Sequence, residues 1–125
     1  MMLRRACTRT LLAGALLIAT ITLTQAAGAL AVGVCGAYGF AIDYGGPDQA
    51  QTAALAKCSG KGCAVVASMK RNCAALAIDG HNACGPFGYA AKARLGEAQN
   101  TALQQCYSHG GKECVIRAFV CDAKG

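Results

Sequence analysis

A cysteine thiolate beside an imidazole is the most reactive pairing these residue types allow. The sequence holds nine cysteines and two histidines, His81 and His109. Nucleophilic catalysis would require a free thiolate within reach of a base. The cysteine pattern favours another use. Cys7 stands apart near the start, and the other eight are Cys35, Cys58, Cys63, Cys73, Cys84, Cys106, Cys114 and Cys121. An even set in a small exported domain reads as a disulfide framework. Both histidines fall in Gly- or Asn-containing loops, where solvent-exposed turn residues are the ordinary reading.

Other chemistries find less support. Four thiolates from Cys58, Cys63, Cys106 and Cys114 would satisfy a structural zinc ion. However, four and seven residues intervene within the two pairs, a loose spacing, and an oxidising compartment disfavours thiolates. Dithiol exchange of the thioredoxin kind uses Cys-x-x-Cys, which this sequence lacks. The acids Asp43, Asp48, Asp79, Glu97, Glu113 and Asp122 lie mostly at element ends, where capping and solvation account for them better than paired glycosidase carboxylates. Gly45-Gly46 and Gly110-Gly111 fit turns, without phosphate-loop spacing. No catalytic, metal-binding or cofactor-binding residue is assigned, and the expectation is a protein without a cofactor.

The elements that position these residues are written twice. Gly36-Ala37-Tyr38-Gly39-Phe40-Ala41 is echoed by Gly85-Pro86-Phe87-Gly88-Tyr89-Ala90. Ala50-Gln51-Thr52-Ala53-Ala54-Leu55-Ala56-Lys57-Cys58 returns as Ala98-Gln99-Asn100-Thr101-Ala102-Leu103-Gln104-Gln105-Cys106, and Cys63-Ala64-Val65-Val66-Ala67 as Cys114-Val115-Ile116-Arg117-Ala118. Gly28-Ala29-Leu30-Ala31-Val32 matches Ala74-Ala75-Leu76-Ala77-Ile78. A tandem duplication explains all four in one order, with repeats over 27–72 and 73–125.

Within each repeat a short buried strand precedes a strand with aromatics on one face and Ala or Gly on the other, a period of two. In the first copy these are 28–33 and 34–44; in the second, 74–78 and 84–94. Asp48 stands where a helix N-cap belongs, with Gln51 completing a capping box. Gly96 takes the N-cap place before the second helix. Each helix carries an alanine stripe suited to close packing on a sheet, and strands follow at 63–69 and 114–121. The order β-β-α-β, twice, predicts a disulfide-rich α+β fold: a mostly antiparallel sheet with two helices on one face.

That order narrows the cysteine pairing. Cys58–Cys63 and Cys106–Cys114 occupy equivalent helix-to-strand loops and close locally. Cys35 and Cys84 are equivalent and are expected to meet across a pseudo-twofold axis. Cys73 and Cys121 remain, tying the first strand of the second repeat to its last. Small side chains bury little apolar area, so bridges that each add about 2–4 kcal/mol have a physical use. Tyr38, Phe40, Phe87 and Tyr89 are the candidate binding surface. If the helices cover the Ala/Gly face, these rings lie opposite, either as an exposed patch of the kind that marks a binding site or as the main core.

The N-terminal stretch has its own plan. Arg4, Arg5 and Arg9 precede an apolar run from Leu11 to Leu23, and small residues follow. This is the layout of a secretory signal peptide, expected over residues 1–26. The alternative, a retained membrane helix, needs about 20 apolar residues. Beyond residue 26 lie nine basic and six acidic side chains, a net charge of +3 in place of +6 for the whole chain. They are scattered, which argues against nucleic acid as a partner. A single disulfide-stapled domain over 27–125 is expected, touching the membrane only through its signal sequence.

The ordered pieces Ala54-Leu55-Ala56-Lys57-Cys58, Cys63-Ala64-Val65-Val66 and Arg71-Asn72-Cys73-Ala74-Ala75-Leu76-Ala77 resemble the family called domain of unknown function 4189. Ala102-Leu103-Gln104-Gln105-Cys106 and Phe119-Val120-Cys121 extend the resemblance over essentially all the chain after the signal. It implies small exported bacterial proteins with no assigned reaction, and it provides no catalytic residues. The sequence departs from the family pattern in lacking Trp on the aromatic-glycine strands, and Cys35 and Cys84 look like additions.

The expectation is therefore a periplasmic or secreted, non-catalytic module that binds a protein or cell-envelope component. The alternatives are an inhibitor of a hydrolase, or a small hydrolase or redox enzyme using cysteine or carboxylate.

Overall fold

The computed structural model describes residues 26–122; apart from Ala26, the expected signal peptide lies outside them. The chain runs β1 (Ala27–Val32), a single 3-10 turn (Val34–Gly36), β2 (Tyr38–Tyr44), α1 (Pro47–Lys57) and β3 (Ala64–Met69). It continues with β4 (Cys73–Asp79), β5 (Asn82–Lys92), α2 (Leu95–Ser108) and β6 (Cys114–Cys121). This is an α+β fold in which both halves have the order β-β-α-β.

Each half forms its own three-stranded sheet, β2-β1-β3 and β5-β4-β6, with every paired neighbour antiparallel. The strands are thus divided between two stacked sheets instead of lying in one, and the helices cover opposite outer faces. The reason is legible in β1 and β4, which are buried along their whole length. In β1, Ala27, Ala29 and Ala31 pack on Ala50 and Ala54 of α1, while Leu30 and Val32 point the other way. In β4, Cys73, Ala75 and Ala77 meet Ala98, Ala102 and Cys106 of α2, while Ala74, Leu76 and Ile78 face Leu30 and Val32. The small face of each central strand suits a helix. The larger face stays wet unless something covers it, at about 25 cal/mol per Å² of apolar surface left in water. The other half supplies that cover.

The aromatic-glycine strands have a steric purpose. A Cβ on Gly39 would lie against the Ala54 carbonyl and 2.6 Å from the Cys58 nitrogen. On Gly88 it would meet the Ala102 carbonyl and stand 2.5 Å from the Cys106 nitrogen. Each helix therefore rests backbone to backbone on its second strand, which only glycine permits.

Three local expectations need correction. Gly46, not Asp48, is the N-cap of α1, and Pro47 opens the helix, a position where its missing N–H costs nothing. Asp48 stays in the first turn, where its charge complements the helix dipole, and Gln51 reaches the Ser68 hydroxyl at 3.5 Å instead of closing a capping box. Arg94, not Gly96, is the N-cap of α2. Finally, the strand expected from Val34 begins only at Tyr38, because Cys35 (φ 57°) and Gly36 (φ 76°) turn the chain left-handed.

Candidate functional site

The eight described cysteines are all bridged. Cys58–Cys63 and Cys106–Cys114 join the end of each helix to the start of the next strand, and Cys73–Cys121 links residues opposite each other on β4 and β6. Cys35–Cys84 spans 49 positions and is the bridge that crosses from one half to the other. Cys35 and Cys84 are exposed, whereas Cys73, Cys106 and Cys114 are buried.

The four candidate rings divide into two pairs. Tyr38 and Phe40 stand 5.5 Å apart between centroids, and Phe87 and Tyr89 stand 6.4 Å apart. Tyr38, Phe40 and Tyr89 pack against the core shared by the sheets. Phe87 turns outward, with 41% of its surface exposed. The face read in the sequence as either patch or core mostly lines the junction between the two sheets.

Phe87 reaches a cleft of about 490 Å³ that opens between the sheets beside Cys35–Cys84. Val32, Val66, Leu76, Ile78 and Phe87 supply its apolar walls, and Gly36, Gly62, Ala64, Ala83 and Gly85 leave the space unfilled. No lining residue carries a titratable side chain. The volume lies within the roughly 300–1,000 Å³ common to small-molecule sites. Reading each strand singly misses this cleft, since its walls come from both halves. The available signal is the cluster of Gly and Ala around Cys35 and Cys84, the equivalent cysteines expected to meet between the halves.

Polar groups near this end are engaged with one another. Asp79 Oδ1 accepts the His81 N–H at 2.9 Å and Oδ2 accepts the Lys112 N–H at 3.2 Å. Those backbone donors, that of His81 foremost, hold the Asp79 carboxyl below its usual value of 3.8 because they favour the charged form. The His81 ring pairs instead with Glu113, Nε2 to Oε2 at 2.6 Å, on the open surface. Asp79 therefore orders a turn and does not orient the imidazole as a general base requires. His109 Nδ1 lies 2.8 Å from the Phe87 carbonyl, so Nδ1 is the donor there. Among the described residues no group of three or more His, Cys, Asp or Glu could hold a metal ion, and no helix is long and apolar enough to cross a membrane.

A family model described as "Domain of unknown function (DUF4189)" matches residues 27–121. No curated protein matches the sequence. Among solved structures, the chain is similar to the NMR structure of Rv1813c from Mycobacterium tuberculosis, at 28% identity and a TM-score of 0.57. The match covers 78% of this chain and 75% of that one. Four disulfides fit an oxidising, extracytoplasmic setting. From its ordered motifs, its paired β-β-α-β halves and the match over residues 27–121, the chain belongs to the DUF4189 family.

Proposed function

We propose that this protein is an exported, non-catalytic binding module that holds an apolar part of a protein or cell-envelope component in the cleft between its sheets. The supporting observation is the cleft itself: a volume of about 490 Å³ with apolar walls and no titratable lining side chain. Such a surface excludes water from an apolar guest and offers no general acid, base or nucleophile. The layout of residues 1–26 supports export to the periplasm or medium with removal of the signal peptide. Residues 27–125 then act as one stapled domain.

The test uses the neutral fluorophore N-phenyl-1-naphthylamine, which brightens in apolar surroundings. Ala64 lines the cleft from β3 and is exposed, so Ala64→Phe fills the space without disturbing the inter-sheet core. Saturable brightening with the wild type and its loss in A64F is the expected result. No brightening with the wild type, or equal brightening with A64F, would overturn the assignment of the cleft.

A further inference from the structure

We infer that the guest is a single-chain amphiphile with an anionic head, its alkyl tail in the cleft and its head at Arg117 and Lys61. This deepens the reading of the cleft as a binding site and rests on it. The walls determine the tail. A guest with several polar groups would leave them unpaired against Val32, Leu76, Ile78 and Phe87, and each buried unpaired group costs on the order of 1–3 kcal/mol. An alkyl chain has no such groups, so its one polar end must remain at the mouth.

The charges at the mouth determine the head. Gly36 lines the cleft, and Arg117 Nε donates to its carbonyl at 3.4 Å while the guanidinium lies over the Tyr38 ring at 5.5 Å. That leaves the forked Nη end with no acceptor among the described residues, a geometry suited to a carboxylate or phosphate. Lys61 is exposed, adjoins Gly62 of the cleft wall, and its carbonyl accepts the Val34 N–H at 3.1 Å. The acids at this end leave both cations available, since Asp79 accepts from two backbone donors and Glu113 pairs with His81 instead of with Arg117 or Lys61.

The experiment displaces N-phenyl-1-naphthylamine from the purified protein with dodecanoate, dodecanol or dodecyltrimethylammonium. Dodecanoate should displace it at the lowest concentration. Arg117→Gln and Lys61→Gln should each weaken dodecanoate by about threefold, the scale of an exposed ion pair, and leave dodecanol unchanged. Arg117→Lys should restore only part of the loss, because it keeps the charge but gives up the fork and the stacking over Tyr38. Equal displacement by all three compounds, or dodecanoate unaffected by either Gln variant, would overturn the anionic head while leaving the apolar site standing. Displacement by none of them, from a probe that does bind, would overturn the alkyl tail as well.

Discussion

Asp122 Oδ1 accepts the backbone N–H of Asp43 at 2.9 Å, joining residues 79 positions apart in the two halves of the molecule. Its Oδ2 accepts the Arg71 N–H at 3.1 Å, and the Asp122 N–H donates to the Asn72 carbonyl at 2.8 Å. Asp43 (φ 60°) and Arg71 (φ 56°) both hold left-handed backbone conformations, which for residues with a side chain persist only when the surroundings hold them. Asp122, fully buried, is that hold. Asp122→Ala would remove the acceptor of two part-buried N–H groups and should cost about 2–5 kcal/mol, somewhat under the roughly 2–6 kcal/mol of two fully buried donors left unpaired. Asp122→Asn keeps one acceptor oxygen and should cost less. Guanidinium unfolding with the disulfides intact gives both values, and an unchanged midpoint for Asp122→Ala would remove the residue from the junction.

Asp79 gives the folded state an acid dependence. Its carboxyl titrates below the usual 3.8 because the His81 and Lys112 N–H groups favour the carboxylate. A depressed folded value means the stabilisation is present above pH 3.8 and is lost as pH falls through the lower folded value. Asp79→Asn should therefore be less stable than wild type at neutral pH, with the gap closing on acidification below that range. Unfolding midpoints measured across the acid range check this, and a gap that widens toward acid would reverse the assignment.

Much of this architecture is legible in single strands and helices, because local patterns record it. The aromatic-glycine alternation marks β2 and β5, and the alanine stripes mark the helix faces that meet Ala29, Ala75 and their neighbours. Division into two sheets is not written in any one strand. Leu30 and Leu76 demand cover on their face, but the alternation is the same whether that cover is a helix, solvent or another sheet. The cleft escapes for the same reason: Gly36 reads only as part of a strand over 34–44, and Ala83 as the residue before a strand over 84–94, until the halves are stacked. The start of α1 differs from the expectation because a side-chain cap at Asp48 and an N-terminal proline after Gly46 are competing signals for neighbouring positions.

The glycines separate close packing from mere flexibility. Gly39→Ala and Gly88→Ala would push a methyl into helix backbone atoms that have no rotamer to yield. Each should cost at least about 1–3 kcal/mol, the usual scale of overpacking. Gly96, in the first turn of α2, has nothing within 4 Å of its Cβ position. Gly96→Ala should stabilise by about 0.5–1 kcal/mol. Thermal melting of the three variants gives the comparison. Equal effects at Gly39 and Gly96 would mean that α1 does not sit on β2 as described.

The bridges should differ both in how readily they open and in what their loss costs. Cys35 and Cys84 are both exposed residues, while each of the other three bridges joins residues that are buried or half-buried, and access governs attack by an external thiolate. A dithiol reductant applied to the native protein should therefore open Cys35–Cys84 first, seen by mass as two alkylated cysteines at positions 35 and 84 before any others. Loop entropy sets the cost. Cys35–Cys84 closes 49 positions and Cys58–Cys63 closes 5, which correspond to about 4 and about 2 kcal/mol in the chain-entropy account. The paired Ser variants should fall in that order, and C35S/C84S should keep its helix and strand content because Leu30, Val32, Leu76 and Ile78 still hold the sheets together. Loss of folded structure in C35S/C84S would mean that the bridge, and not the apolar junction, holds the two halves in register.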